Sequence, residues 1–193
     1  MHAVLVKARQ GDPDSFAELI KPYERLIYNL AWHYAHNRED AKDITQDTYI
    51  KAYKNLGQCK SADSFKAWLT RIVITTSLDY LRARKRNAED SLDEREEAGI
   101  FFAAASHDQD PEAKVLANET SDAVRRAVSL LPAEQRTLVI LRDLQGFSYE
   151  EISKTMNLPL GTVKSRLSRA RLKLRELLLG HSRLNVEGRN SHA

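Results

Sequence analysis

Residues 146–171 read GFSYEEISKTMNLPLGTVKSRLSRAR, and the spacing within this stretch decides the fold. Ser148 can cap a short helix, with Glu151 at the capping-box position three residues on. Asn157-Leu158-Pro159 breaks the pattern, because Pro159 disfavours a helical residue before it and suits the opening of the next helix. Winding that second helix at about 100° per residue aligns Val163, Leu167, Ala170, Leu174 and Leu178 in one apolar stripe. Thr162, Ser165, Ser168 and Arg169 then point away from the stripe, while Lys164, Arg166, Arg171, Lys173 and Arg175 lie along its flanks and back. The pattern predicts a helix-turn-helix: a short polar face for base edges, flanked by cations for phosphates. An ordinary amphipathic surface helix would explain the charged face, but not the capped helix and turn in front of it.

Charge is distributed in blocks. Residues 1–87 hold 15 Lys/Arg against 10 Asp/Glu, residues 88–119 hold 2 against 10, and residues 120–193 hold 13 against 7. Two basic blocks separated by an acidic one suggest two nucleic-acid-facing domains and a connector. The single cysteine, Cys59, excludes an intramolecular disulfide and any all-Cys metal site. No basic-plus-apolar leader appears, and no apolar run approaches the ~18 residues of a membrane span. The expectation is a soluble, cytoplasmic protein without metal or cofactor.

No strand-like alternation of any length appears, so the expected class is all-α. Two small helical domains, 1–87 and 118–180, are joined by a flexible acidic linker over 88–117 and followed by a tail over 181–193. Residues 1–36 carry apolar positions at helical spacing, interrupted at Gly11-Asp12-Pro13-Asp14, where Asp12 or Asp14 can cap the second helix. A third helix is expected from Arg38 to Leu56, ended by Gly57. Its inner face is Ile44, Thr48, Ala52 and Leu56; Asp40, Asp43, Gln46, Asp47, Lys51 and Lys54 lie outside. The fourth, from about Ser64 to Arg86, is apolar on two sides, as expected of a helix inside a bundle. Between those sides runs a strip of Trp68, Arg71, Thr75, Asp79, Arg82 and Arg86. Rings that stack on bases beside cations that neutralise phosphates suit unpaired DNA, although a structural Trp beside snorkelling arginines has the same spacing. In the linker, Ile100-Phe101-Phe102 is a candidate docking element. Helices resume at Asn118, and the last is expected to stop at Gly180.

Taken together, these residues resemble the extracytoplasmic-function sigma factors, the smallest members of the bacterial sigma-70 class. The resemblance rests on Asp40-Ala41-Lys42-Asp43-Ile44-Thr45-Gln46-Asp47 through Tyr53, Phe65-Lys66-Ala67-Trp68-Leu69-Thr70-Arg71-Ile72, Asp79-Tyr80-Leu81-Arg82, and Leu131-Pro132 through Ser148-Tyr149-Glu150-Glu151-Ile152 to Arg166. It implies a non-enzymatic subunit that binds core RNA polymerase, recognises −35 and −10 promoter elements and helps open the duplex. Asp40, Asp43, Gln46, Asp47 and Lys51 match the surface that docks on the clamp helices of the largest subunit. The loop Cys59, Lys60, Ser61, Ala62, Asp63 and Ser64 matches the segment that captures an extruded −10 base, beside the Trp68 strip. Arg142, Tyr149, Glu150, Ser165, Ser168 and Arg169 match positions facing the −35 element. The resemblance also implies an anti-sigma partner. Thr75 stands where the family often has Asn, and Cys59 where it has an aromatic, which bears on −10 base preference.

A regulator with a helix-turn-helix output and a sensing N-terminal domain is the alternative, and it would carry a ligand pocket or phosphoacceptor. An enzyme has less support: the six His are scattered, and neither Gly-x-x-x-x-Gly-Lys-Ser/Thr nor His-Glu-x-x-His occurs.

Overall fold

The structure, a computed structural model, describes residues 1–35, 37–90 and 123–189. All regular structure in these residues is helical. Helices α1 (His2–Arg9), α2 (Pro13–Ile20), α3 (Glu24–Tyr34), α4 (Arg38–Lys54) and α5 (Phe65–Asp90) belong to one compact unit. The bulk of α6 (123–129), α7 (Ala133–Val139), α8 (Tyr149–Met156) and α9 (Leu160–Arg189) belongs to another. The Ile100-Phe101-Phe102 element and residues 91–117 of the expected linker lie outside the described residues. Among the described residues, no helix is long and apolar enough to cross a membrane.

Two helices of the first unit, α2 and α4, begin at side-chain caps. Asp12 accepts from the Ser15 backbone N–H at 3.3 Å and Pro13 opens the helix, so Asp12 caps α2. The Ser15 hydroxyl also donates to Asp12 and holds its carboxyl below the usual range. Asn37 caps α4 through the Asp40 N–H at 2.8 Å. Pro22 lies in a 3₁₀ turn, Lys21–Tyr23, that separates α2 from α3. Periodicity alone did not place that turn. α4 ends at Lys54 and not at Leu56, which enters a 3₁₀ turn with Gly57 and Gln58.

α3, α4 and α5 pack together as the core of this unit. Ile44, Thr48, Ala52 and Leu56 are all buried, as the four-residue spacing requires. α5 buries Phe65, Leu69, Val73, Ile74, Thr76 and Ser77, so two sides of it meet protein. Ala31, Ala35, Ala41 and Ile44 form a cluster covered by Tyr28, Trp32 and Tyr80. At its edge, Arg84 of α5 donates to Asp40 of α4 at 2.8 Å and reaches the Tyr80 hydroxyl at 3.4 Å. Burial and the adjacent Asp40 carboxylate hold the Tyr80 phenol above its ordinary value.

In the second unit the capping box forms in both directions: Ser148 Oγ accepts from Glu151 N–H at 3.1 Å, and Glu151 accepts from Ser148 N–H at 2.8 Å. α8 gives way to Asn157 at φ +52°, a left-handed conformation that Asn tolerates better than most residues. Ahead of α8, α7 widens into a π turn, Ile140–Leu144, which Gly146 leaves at φ +70°. Val163, Leu167 and Ala170 are essentially inaccessible, and α7 packs on α9. Two helix ends differ from expectation. α5 continues to Asp90, and α9 passes through Gly180 to Arg189. An internal Gly costs a helix only about 1 kcal/mol relative to Ala, so Gly180 alone does not stop one already this long.

Two outcomes test these packing assignments. Ser148→Ala should lower the stability of the second unit by about 1 kcal/mol. Both tryptophans, Trp32 and Trp68, lie in the first unit, so the loss should appear in far-UV dichroism during urea unfolding but not in tryptophan fluorescence. Asp40→Ala and Arg84→Ala should show a coupling of up to about 1 kcal/mol in a double-mutant cycle followed by fluorescence, shrinking as salt is raised.

Candidate nucleic-acid interface

The most built surface of the second unit starts at α9. Because Val163, Leu167 and Ala170 are buried, the 3.6-residue repeat turns Lys164, Ser165, Ser168, Arg169, Arg171 and Lys173 outward, and all six are exposed. Thr162 and Arg166 are half-buried on the shoulders of that face. α8 contributes exposed Glu150 and half-buried Tyr149. Tyr149 is held by cations: Arg142 Cζ lies 4.6 Å from the ring centroid and Lys164 Nζ lies 5.9 Å from it. Arg142 also donates to the Phe147 carbonyl at 2.7 Å. Of the −35 set expected from the sequence, Arg142, Tyr149 and Lys164 are in contact, and Ser165, Ser168, Arg169 and Lys173 are exposed along α9.

Its cations are not equivalent. Arg166 donates to Glu134 at 2.6 Å, and Arg171 grips Asp143 with two nitrogens, at 3.1 and 2.5 Å. The Asp143 carboxylate raises the Arg171 pKa further above its ordinary value. Lys173 lies 3.4 Å from Glu176. Lys164 and Arg169 have no carboxylate partner among the described residues. Glu134 and Asp143 lie 32 and 28 residues before their partners, so no helical spacing in the sequence announces them.

In the first unit, the strip on α5 emerges as expected: Arg71, Thr75, Asp79, Arg82 and Arg86 are exposed, with Trp68 half-buried at its head. Trp68 leans on Phe65 at 5.6 Å between centroids, and Phe65 on Tyr23 at 5.5 Å, so the indole is backed by core. Thr75 Oγ1 donates to the carbonyls of Arg71 and Ile72, both at 3.0 Å, which turns its hydroxyl back to the helix. Asp79 pairs with Arg82 at 3.0 Å and Lys51 at 3.6 Å.

The loop before α5 is tied to itself. Ser61 N–H donates to Ser64 Oγ at 3.1 Å, Ser64 N–H donates to Ser61 Oγ at 3.3 Å, and Ser64 Oγ donates to the Ser61 carbonyl at 2.9 Å. Cys59 is fully buried and its Sγ–H points at the Ser61 carbonyl, 3.3 Å away. Cys59 and Ala62 therefore shape the loop from inside, while Lys60 and Asp63 are its exposed members. The resemblance grouped all six residues as one contact segment, and a loop has no repeat from which their different burial could be read.

On α4, Asp43, Gln46 and Asp47 are exposed and free of the bundle. Asp40 differs: its side chain is only 17% exposed and is engaged by Arg84. Lys51 is half-exposed. The same outer face carries Ile50, 51% exposed, and beside it Tyr53, 42% exposed. Both were missed as members of this face; their signal is an apolar side chain at i+7 and i+10 from Asp43, on the polar side of the helix.

Both units resemble known proteins. The family model for sigma-70 region 2 matches residues 19–87, and that for sigma-70 region 4 matches residues 121–174. The RNA polymerase sigma-H factor of Pseudomonas aeruginosa is 36% identical over 167 residues, covering 86% of each chain. The ECF RNA polymerase sigma-E factor of Escherichia coli K12 is 35% identical over 167 residues, 86% of this chain and 87% of that one. Among solved structures, the sigma factor RpoE of Bartonella quintana, crystallised with the anti-sigma factor NepR, superposes with a TM-score of 0.63 at 29% identity, over 84% of this chain and 96% of that one. The sensing-domain alternative is not favoured, since the first unit corresponds to a sigma region. With two sigma regions in order and relatives matched over most of their length, the chain belongs to the sigma-70 family as an ECF sigma factor, an alternative sigma factor that directs RNA polymerase to promoters.

Proposed function

We propose that the chain divides promoter recognition between its two units, residues 1–87 and 118–180, with 88–117 as the connector. α9 enters the major groove of the −35 element. Ser165, Ser168 and Arg169 face base edges there; Arg142, Tyr149, Glu150, Thr162 and Lys164 border them. The observation that carries this reading is that Ser165, Ser168 and Arg169 are exposed together, directly opposite a buried stripe, on the helix that follows a capped helix and turn. Hydrogen-bonding side chains on the outward face of such a helix are what base-edge readout requires.

The strip from Trp68 to Arg86 and the exposed part of the Cys59–Ser64 loop receive the −10 element. Opening it costs a few kcal/mol per flipped base, offset by stacking and a preorganised loop. The cross-bonded Ser61 and Ser64 support that preorganisation. The outer face of α4, with Asp43, Gln46 and Asp47, docks on the clamp helices of the largest polymerase subunit, with Lys51 at its edge. The chain acts by binding and not by covalent catalysis, in the cytoplasm with its polymerase. An anti-sigma factor occludes the promoter-reading surfaces, in line with the anti-sigma complex of the Bartonella quintana relative.

Run-off transcription with core polymerase on a randomised promoter library tests the reading as a whole. Selection of no common promoter would overturn it. The double variant Asp43→Ala with Asp47→Ala should weaken capture of core polymerase while leaving the unfolding transition unchanged; unaltered capture removes α4 from the docking surface. Arg169→Ala should cost about 1–3 kcal/mol at one promoter position, read as relaxed selection there. A uniform loss across all sequences would assign Arg169 to phosphate instead.

A further inference from the structure

We infer that Arg171, with Asp143, is a positioning pair for the −35-reading face and not a phosphate ligand, although it sits among the cations of α9. The inference rests on the promoter reading above and deepens it.

Asp143 lies in the π turn Ile140–Leu144, a local widening that re-aims side chains at the end of α7. Two neighbouring residues of this turn act as hooks in different directions. Arg142 reaches forward to the Phe147 carbonyl at 2.7 Å and covers the Tyr149 ring at 4.6 Å. Asp143 takes Arg171 of α9 through both carboxylate oxygens, at 3.1 and 2.5 Å. The turn is thereby fastened both to the start of α8 and to the middle of α9. Tyr149, Lys164, Ser168 and Arg171 line one shallow depression of about 340 Å³ between these elements. A planar guanidinium held by two parallel bonds to a carboxylate has a fixed orientation, which a lysine or a single bond would not impose. The pair thus sets the position of Tyr149 relative to Lys164 and Ser168.

Charge leads to the same assignment. A cation contributes to DNA affinity by displacing condensed counterions, about 0.9 in the salt slope per neutralised phosphate of B-DNA. Arg171 is neutralised by Asp143 already, so the pair as a unit displaces none. Lys164, with no carboxylate partner among the described residues, does.

The test uses the full chain assembled with core polymerase and the promoter that the wild-type chain selects from a randomised library. If the wild-type holoenzyme selects no promoter, it is the promoter reading that fails. If it does, two isoelectric double variants are compared with it: Asp143→Asn with Arg171→Gln, and the swapped pair Asp143→Arg with Arg171→Asp. The neutral double should keep the salt slope within about 0.3 of wild type, a third of one phosphate contact. Its discrimination between the selected and a scrambled −35 element should fall by on the order of tenfold. The swapped pair should recover most of that discrimination, because it restores a pair but places a carboxylate where a phosphate ligand would be. A drop of about 0.9 in slope for the neutral double, unchanged discrimination in it, or a swapped pair no better than the neutral double would overturn the inference. Far-UV dichroism confirms that each variant is folded before it is compared.

Discussion

Burial of one narrow stripe on α9 is the constraint on which the second unit depends. Val163, Leu167 and Ala170 are closed off from solvent, and together they fix the rotation of the helix about its own axis. A rotation of one residue, about 100°, would bring a serine or an arginine into the core and leave its hydrogen-bonding groups unmet. Three small or branched apolar side chains therefore decide which residues can meet a DNA groove. The capping box at Ser148 and Glu151 and the left-handed Asn157 set the direction from which α9 departs. Recognition follows from packing here: the outward face is whatever the core refuses.

The first unit solves a different problem with the same means. α5 is buried on two sides, and Arg71, Thr75, Asp79, Arg82 and Arg86 are exposed between them. Such a helix cannot roll, so Trp68, Arg71, Thr75, Arg82 and Arg86 stay in one row along it. Phe65, itself packed on Tyr23, supports the Trp68 ring, which in the proposed −10 reading lowers the freedom the ring would lose on stacking against a base. The loop ahead of α5 is stiffened by Ser61 and Ser64 and by the buried Cys59. A surface that must meet an unpaired strand gains from being shaped beforehand, because ordering it on contact would subtract from the binding energy.

What the sequence made legible and what it hid divide along a physical line. Periodic features could be read: the α4 core positions Ile44, Thr48, Ala52 and Leu56, the α9 stripe, the α5 strip, and the caps at Asp12 and Ser148. Each depends only on neighbours within a turn or two. Features that depend on tertiary partners could not. Cys59 was grouped with the contact loop by resemblance and is interior, because a loop has no repeat from which burial follows. Asp40 looked like its neighbours Asp43 and Asp47, yet Arg84, 44 residues away, claims it. Gly180 looked like a stop, but a lone glycine is a modest penalty against the length of α9. Ile50 and Tyr53 are apolar side chains exposed on a polar face, legible only by comparing their spacing with that of Asp43 and not from the buried stripe.

The charges of α9 show why composition overstates a nucleic-acid surface. Six cations lie between Lys164 and Arg175, and a count would assign them one role. Arg166 and Arg171 meet Glu134 and Asp143, carboxylates brought in from α7 and the π turn that ends it. A phosphate approaching either arginine must compete with a carboxylate already in place, at the cost of stranding that carboxylate beside the DNA. Lys164, Arg169 and Arg175 carry no such encumbrance among the described residues. The helix thus separates cations held by carboxylates of the same unit from cations without such a partner among the described residues. In the proposed promoter reading, that separation keeps part of the charge from acting as a sequence-independent glue and leaves discrimination to the outward face of Ser165, Ser168 and Arg169.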